Sequence, residues 1–323
     1  MVRFLLIVLA AILALIAVFR INTVRYAAVR AVWKVIDWVS MKIAAKAILP
    51  EGVKVETDLP YIKGGTSEQL LDVYYPENSN DKLPVIIFIH GGGFIAGDKK
   101  HTMPYCRALA KEGYTVYNIN YRLAPNYENP AQIMDVLAAM MWVEENCEKH
   151  FGDKSRIVLA GDSVGAYMAG LAACVHTNEN LASRLNYKSV LTENQIKGVL
   201  LFSGVYDLET GSKTGFPSIQ SDIGMFLGTD DIKSYENLND FSVTRNVTSK
   251  FPKAFISSGA VDKLHAESIE LISVLDKSGV YHKDFLFDKN EKKAMHDYQF
   301  HMELDISKLC MKSVIEFLKT AIG

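Results

Sequence analysis

Val158-Leu-Ala-Gly161-Asp162-Ser163-Val164-Gly165-Ala166 is the stretch on which the reading of this chain turns. An apolar run ends in Gly-x-Ser-x-Gly, and small residues suited to a helix follow at once. A sharp strand-to-helix turn lifts the Ser163 hydroxyl out of the backbone. It also brings neighbouring chain so close that Gly161 and Gly165, which lack a Cβ, suit the flanking positions. A bare five-residue pattern reads equally as a Gly/Ser-rich loop. The strand-like run Arg156 to Ala160 before it and the helix-like run Val164 to Val175 after it supply the context the turn requires.

Outward from this turn, buried strands and helices alternate. Val53 to Thr57 and Gln69 to Tyr75 are strand-like, and Pro84 to Ile89 is continuously apolar, as a strand buried on both faces is. His90-Gly91-Gly92-Gly93-Phe94 follows it, and three glycines there let backbone N–H groups turn towards a ligand oxygen. A phosphate cradle would need Gly-x-x-x-x-Gly-Lys-Ser/Thr, which is absent. His101 to Gly113 predicts a helix, Tyr114 to Tyr121 a strand and Ala131 to His150 a helix. Ile196 to Ser203, Ala254 to Ser258 and Val280 to Phe287 are further strands, and Ile306 to Ala321 is a closing helix. This alternation predicts an α/β fold with a parallel sheet covered on both faces.

A serine nucleophile needs a base, and the base needs a carboxylate to orient it. Asp262 lies just past the strand ending at Ser258. Asp207 and Glu209 follow the preceding strand and are less well situated. Of the histidines beyond Asp262, His282 lies inside the last strand, His265 at a helix start and His301 at or near the closing helix. His296 sits in the loop after the last strand. The order Ser163, Asp262, His296 fits nucleophile, acid, base.

His90-Gly-Gly-Gly93, Tyr121-Arg-Leu-Ala-Pro125 with Pro130 and Asp135 beyond it, Gly161-Asp-Ser-Val-Gly165, Asp262-Lys-Leu264 and His296 together resemble the α/β-hydrolases of the hormone-sensitive-lipase-like esterase family. The resemblance covers Val53 to the C-terminus. It implies a mostly parallel eight-stranded sheet with helices on both faces and a helical cap. It implies carboxylic-ester hydrolysis through Ser163, Asp262 and His296, with Gly92, Gly93 and Val164 as oxyanion donors and no cofactor or metal. Residues 23–52 and 207–250 would form the cap, and 53–323 the catalytic domain. Val164 stands where alanine is usual and Ala166 where glycine is common, changes that bear on pocket shape. The substrate would be an ester with a short to medium acyl group. The same triad could instead cleave an amide, a peptide or an N-acetyl group. A ligand-binding protein without catalysis would have lost a triad member, and all three are present.

The N-terminus reads differently. Phe4 to Phe19 is an apolar run between Arg3 and Arg20. At 1.5 Å per residue it spans ~24 Å, short of a ~30 Å hydrocarbon core. Ala17-Val18-Phe19 is a poor cleavage site, so residues 1–22 read as an uncleaved anchor rather than a signal for secretion. Arg20, Arg25, Arg30 and Lys34 follow the run, which keeps the rest of the chain cytoplasmic by the positive-inside tendency. Val24 to Leu49 predicts an amphipathic helix with Val32, Val35, Ile36, Val39 and Ile43 on one face, packed on the main domain or lying on membrane lipid. Over its 323 residues the chain is 49% hydrophobic and carries a net charge of −2, so a large core is available and no basic footprint for nucleic acid exists. Four cysteines without a Cys-x-x-Cys pair read as buried thiols, not a zinc site or disulfide framework.

Overall fold

The computed structural model describes residues 22–187, 191–192 and 194–323. The anchor read in residues 1–22 lies outside them except for the backbone of Asn22, where helix α1 (Asn22–Ala44) begins. No helix among the described residues is long and apolar enough to cross a membrane.

After α1 come β1 (Val53–Pro60), β2 (Leu70–Pro76), β3 (Leu83–Ile89), α2 (Lys99–Lys111), β4 (Thr115–Ile119), α3 (Ala131–Asn146), β5 (Gly152–Asp162) and α4 (Val164–Thr177). There follow β6 (Ile196–Phe202), α5 (Ile219–Leu227), β7 (Lys253–Gly259), α6 (His265–Lys277), β8 (His282–Phe287) and α7 (Asp305–Ile322). The strands form one eight-stranded sheet in the order β1-β2-β4-β3-β5-β6-β7-β8. Pairings from β4 to β8 are parallel, whereas β2 runs antiparallel to both β1 and β4. The mostly parallel eight-stranded sheet is thus found, with its antiparallel strands at one edge. β1 and β2 are joined by a short turn, not by a helix, and a short turn reverses the chain.

Side chains alternate between two cores. Val85, Ile87 and Ile89 of β3 pack with α3, α4 and α6, while Ile86 and Phe88 pack with α2 and α7. All five are fully buried, which is why β3 reads as an unbroken apolar run. A lysine is buried as well. Lys99, 1% exposed, donates to Asp58 and Asp72 at 2.6 Å each and ties α2 to the β1–β2 edge.

Element ends differ from the sequence reading. β5 starts at Gly152 rather than Arg156, and α1 stops at Ala44, short of Leu49. The apolar face read on α1, to be packed on the main domain or laid on lipid, is not the one that packs into the core. Val32, Val35, Ile36 and Ile43 are 59%, 61%, 43% and 54% exposed. Tyr26, Val29 and Trp33 make the contact with the core instead, because hydrogen bonds of Tyr26 and Trp33 fix which side of the helix faces inward. All four cysteines are free and buried.

Candidate active site

The parallel strands end on the same side of the sheet, and four loops converge there: those after β3, β5, β7 and β8. A crevice outside the carboxyl ends of such strands is where ligands bind in open α/β sheets.

Ser163 occupies the turn from central β5 to α4 at φ +53°, ψ −120°, a conformation L-residues rarely adopt. Its N–H donates to Phe202 O at 2.8 Å, which pins the turn to β6. A Cβ on Gly161 would lie 2.4 Å from the Gly165 carbonyl, and one on Gly165 would lie 2.1 Å from Ile89 O. The two glycines allow the elbow to pack against itself and against the end of β3.

The loop after β3 is held by that same elbow. Gly91 N donates to Asp162 Oδ2 at 3.0 Å. Gly92 (φ +120°) and Gly93 (φ +63°) take backbone conformations suited to glycine. Ile95 N and Ala96 N both donate to Gly92 O, closing the loop. Tyr121 donates to His90 O at 2.9 Å and stacks on its ring. Burial moves the His90 imidazole down to about 4, so this ring is neutral at physiological pH. The Arg122–Asp135 pair, with three hydrogen bonds from Nε and Nη2 to the two carboxylate oxygens and one from Arg122 N, fixes the loop after Tyr121.

Asp262 and His296 meet. Asp262 Oδ2 lies 2.8 Å from His296 Nδ1, and Asp262 Oδ1 accepts from Leu264 N at 2.9 Å. Burial pushes the Asp262 carboxyl up, but the hydrogen bond and charge of His296 outweigh it and hold the group below the usual range. His296 Nε2 lies 3.2 Å from Asp297 Oδ2, and the Phe216 ring sits 4.6 Å from the imidazole. Asp162, buried beside them, is pushed well up by burial and by the charge of Asp297.

Ser163, His296, Asp162, Asp297, Gly91 and Gly92 all open onto one cavity of about 1290 Å³. A Cβ on Gly93 would point at Trp33 of α1 and Asp222 of α5, and the Val164 side chain is buried at the start of α4. The far wall is α1, from Ala28 to Ala44, and the chain continuing to Ile48. Trp33 closes over Gly93 and donates from Nε1 to Asp222 Oδ1 at 3.1 Å. Burial raises the Asp222 carboxyl to about 7, against the opposing hydrogen bonds of Ser218 and Trp33.

The competing candidates make other contacts. Asp207 accepts from Glu209 N and Thr210 N, and pairs with Arg245 at 2.8 Å. His265 contacts Ser258 Oγ at 2.8 Å, and His282 lies between Asp276 and Asp284. His301 lines the cavity rim near Glu303. The sequence reading missed Asp297, Phe216 and Trp33. Only the adjacency of Asp297 to His296 was available as a signal.

No group of three or more His, Cys, Asp or Glu side chains suited to a metal ion occurs among the described residues.

Comparison with known proteins follows this geometry. The BD-FAE family model matches residues 71–275. Carboxylesterase NlhH of Mycobacterium tuberculosis is 39% identical over 127 residues, which cover 39% of this chain and 39% of that protein. Esterase LipC of the same organism is 27% identical over 243 residues, covering 70% of this chain and 59% of LipC. The chain therefore spans less than two thirds of the length of these curated relatives. The crystal structure of esterase B from Lactobacillus rhamnosis superposes with a TM-score of 0.82 at 24% identity, over 93% of this chain and 96% of that one.

Proposed function

Because the chain belongs to the BD-FAE family, within the α/β-hydrolase esterases and lipases, we propose that it is a carboxylesterase working through Ser163, Asp262 and His296. The observation that carries the reading is the elbow. Ser163 stands at φ +53° on the central strand and shares one cavity with an imidazole whose Nδ1 is 2.8 Å from a buried carboxylate.

His296 takes the Ser163 proton at Nε2 while Asp262 holds Nδ1–H, fixing the tautomer. The serine oxygen attacks the ester carbonyl, and the developing oxyanion is met by the N–H groups of Gly92, Gly93 and Val164. Each such donor supplies roughly 2.7–4 kcal/mol of transition-state stabilisation. Collapse expels the alcohol, protonated by the His296 imidazolium. Water then attacks the acyl-enzyme with His296 again as base, releasing the acid and restoring Ser163.

Residues 23–52 and 207–250 act as the cap over the acyl pocket in this reading. The substrate is an ester of short to medium acyl length, and residues 1–22 anchor the chain to membrane lipid with the catalytic domain cytoplasmic. Removing residues 1–22 should then release the protein to the soluble fraction with short-ester activity intact.

The decisive experiment is hydrolysis of p-nitrophenyl acetate and butyrate by Ser163→Ala, Asp262→Asn and His296→Ala. Each should lose about three or more orders of magnitude in turnover rate with unchanged circular dichroism. Full activity in Ser163→Ala would overturn the serine mechanism, and losses at Asp207 or His301 instead would reassign the acid and base.

A further inference from the structure

The imidazole of His296 has a carboxylate at each nitrogen. Asp262 Oδ2 is 2.8 Å from Nδ1, and Asp297 Oδ2 is 3.2 Å from Nε2. Nε2 is the atom that must accept the Ser163 proton in the cycle above, on which this inference rests. An Nε2 that carries a proton has no lone pair to offer. Two carboxylates around one ring favour the doubly protonated imidazolium, the form that cannot act as base.

Asp297 reaches this position through its backbone. It sits at φ +56°, in the left-handed region, which turns its side chain back onto the ring it follows. Asparagine and glycine enter that region with less difficulty than other residues, so the position does not demand a carboxylate for conformational reasons. On its other oxygen, Asp297 Oδ1 accepts from Gln299 Nε2 at 3.4 Å.

We propose that Asp297 is a positioning residue for the base: its charge beside Nε2 favours the protonated imidazolium of His296 in the resting enzyme, and so sets the pH above which His296 can take the proton of Ser163.

Every charged group facing the pair enters the balance. From β5 comes Asp162, from the loop after β7 Asp262, and from the segment of Asp297 itself His301, whose charge opposes the rise of the Asp297 carboxyl. Phe216, from the segment before α5, covers the ring without charge. The net direction agrees with the geometry. Burial pushes His296 down, but the charge of Asp297, then the hydrogen bond and charge of Asp262 and the charge of Asp162, bring it up to about 9. These groups titrate as a set, so a measured midpoint belongs to the cluster.

The test is the pH profile of kcat/KM on p-nitrophenyl acetate for the full chain, Asp297→Asn, Asp297→Gly and Asp297→Glu. The wild-type acid limb should have its midpoint well above the ordinary histidine range. Asp297→Asn and Asp297→Gly should each move it down by one pH unit or more, raising activity at pH 6 relative to pH 9 by about fivefold or more. Asp297→Glu, which keeps the charge, should retain part of the alkaline midpoint. A purely structural role would scale all rates without moving the midpoint. In parallel, the His296 ring is titrated by NMR in a Ser163→Ala background, with and without Asp297→Asn, which reads the same shift with no need for turnover. Midpoints unmoved in both measurements overturn the role of Asp297 while leaving the serine mechanism standing. Activity surviving in Ser163→Ala would overturn the mechanism itself.

Discussion

Trp33→Ala should free α1 from the rest of the molecule while the sheet stays folded. The indole is the main apolar anchor of a helix that otherwise exposes Val32, Val35, Trp38 and Ile43. It also donates to Asp222, 189 residues away, at 3.1 Å. Half-burial of a side chain that can cover ~200 Å² removes ~100 Å² from water, about 2.5 kcal/mol at 25 cal/mol per Å². The hydrogen bond to a buried carboxyl adds about 1–2 kcal/mol. Together these come to about 4 kcal/mol, a factor of ~10³ in the equilibrium between docked and undocked α1. Hydrogen exchange read peptide by peptide tests this. Protection in residues 22–44 should fall by two to three orders of magnitude, with β3, β5 and β6 unchanged. Trp33→Phe keeps an aromatic ring but loses the hydrogen bond, worth about fivefold to thirtyfold, and part of the indole's buried area, so it should cost less than Trp33→Ala. Unchanged exchange in α1 would refute the reasoning. So would an equal loss in the sheet, because α1 would then be part of the global fold and not a separable cover.

Gly165→Ala would set a methyl 2.1 Å from Ile89 O, a backbone atom that cannot swing aside; soluble yield and ester hydrolysis should both collapse, and a normally melting, active variant would contradict the packing described. Lys99→Met should destabilise the fold by about 3–5 kcal/mol in urea titration, since it leaves Asp72 buried without its cation. Ile36→Trp fills the α1 wall of the cavity; kcat/KM should fall on octanoyl esters more than on acetyl esters, and equal losses on both would mean that acyl chains do not run along α1.

How far the sequence exposed this arrangement depends on the scale of the interaction. β3 and β5 were readable because both their faces are buried, which demands unbroken runs such as Val85 to Ile89. The elbow was readable because one of its glycines, Gly161, answers a steric contact with Gly165 inside the motif itself. His296 emerged only by its place after the last strand. The antiparallel β2 was not visible, since Leu71 to Tyr75 is buried and resembles a parallel strand in composition. The inward face of α1 was hidden for a different reason. Apolar residues surround that helix, so periodicity could not select Tyr26, Val29 and Trp33. Their choice is made by Asp222 and Asp230, nearly two hundred residues on. Asp297 escaped because its importance lies in a φ of +56°, which no side-chain pattern announces.

The distances that matter for chemistry are set mainly by backbone. A Cβ on Gly165 would strike Ile89 O and His90 O, and a Cβ on Gly91 would strike Asp162 Oδ2 at 2.3 Å. The loop carrying Gly92 and the turn carrying Ser163 are therefore pressed together at the ends of two adjacent strands, β3 and β5, whose register runs from Val85↔Ile157 to Ile89↔Gly161. Strand pairing fixes this separation, and the glycines let it be short. The side chains of the cavity wall can then vary without disturbing it. Asp297 is the opposite kind of feature, because it alters how readily the base gives up its proton without touching that frame. The division assigns bond-making geometry to the sheet ends, and working pH and acyl choice to residues such as Asp297 and Ile36 that the frame leaves free to change.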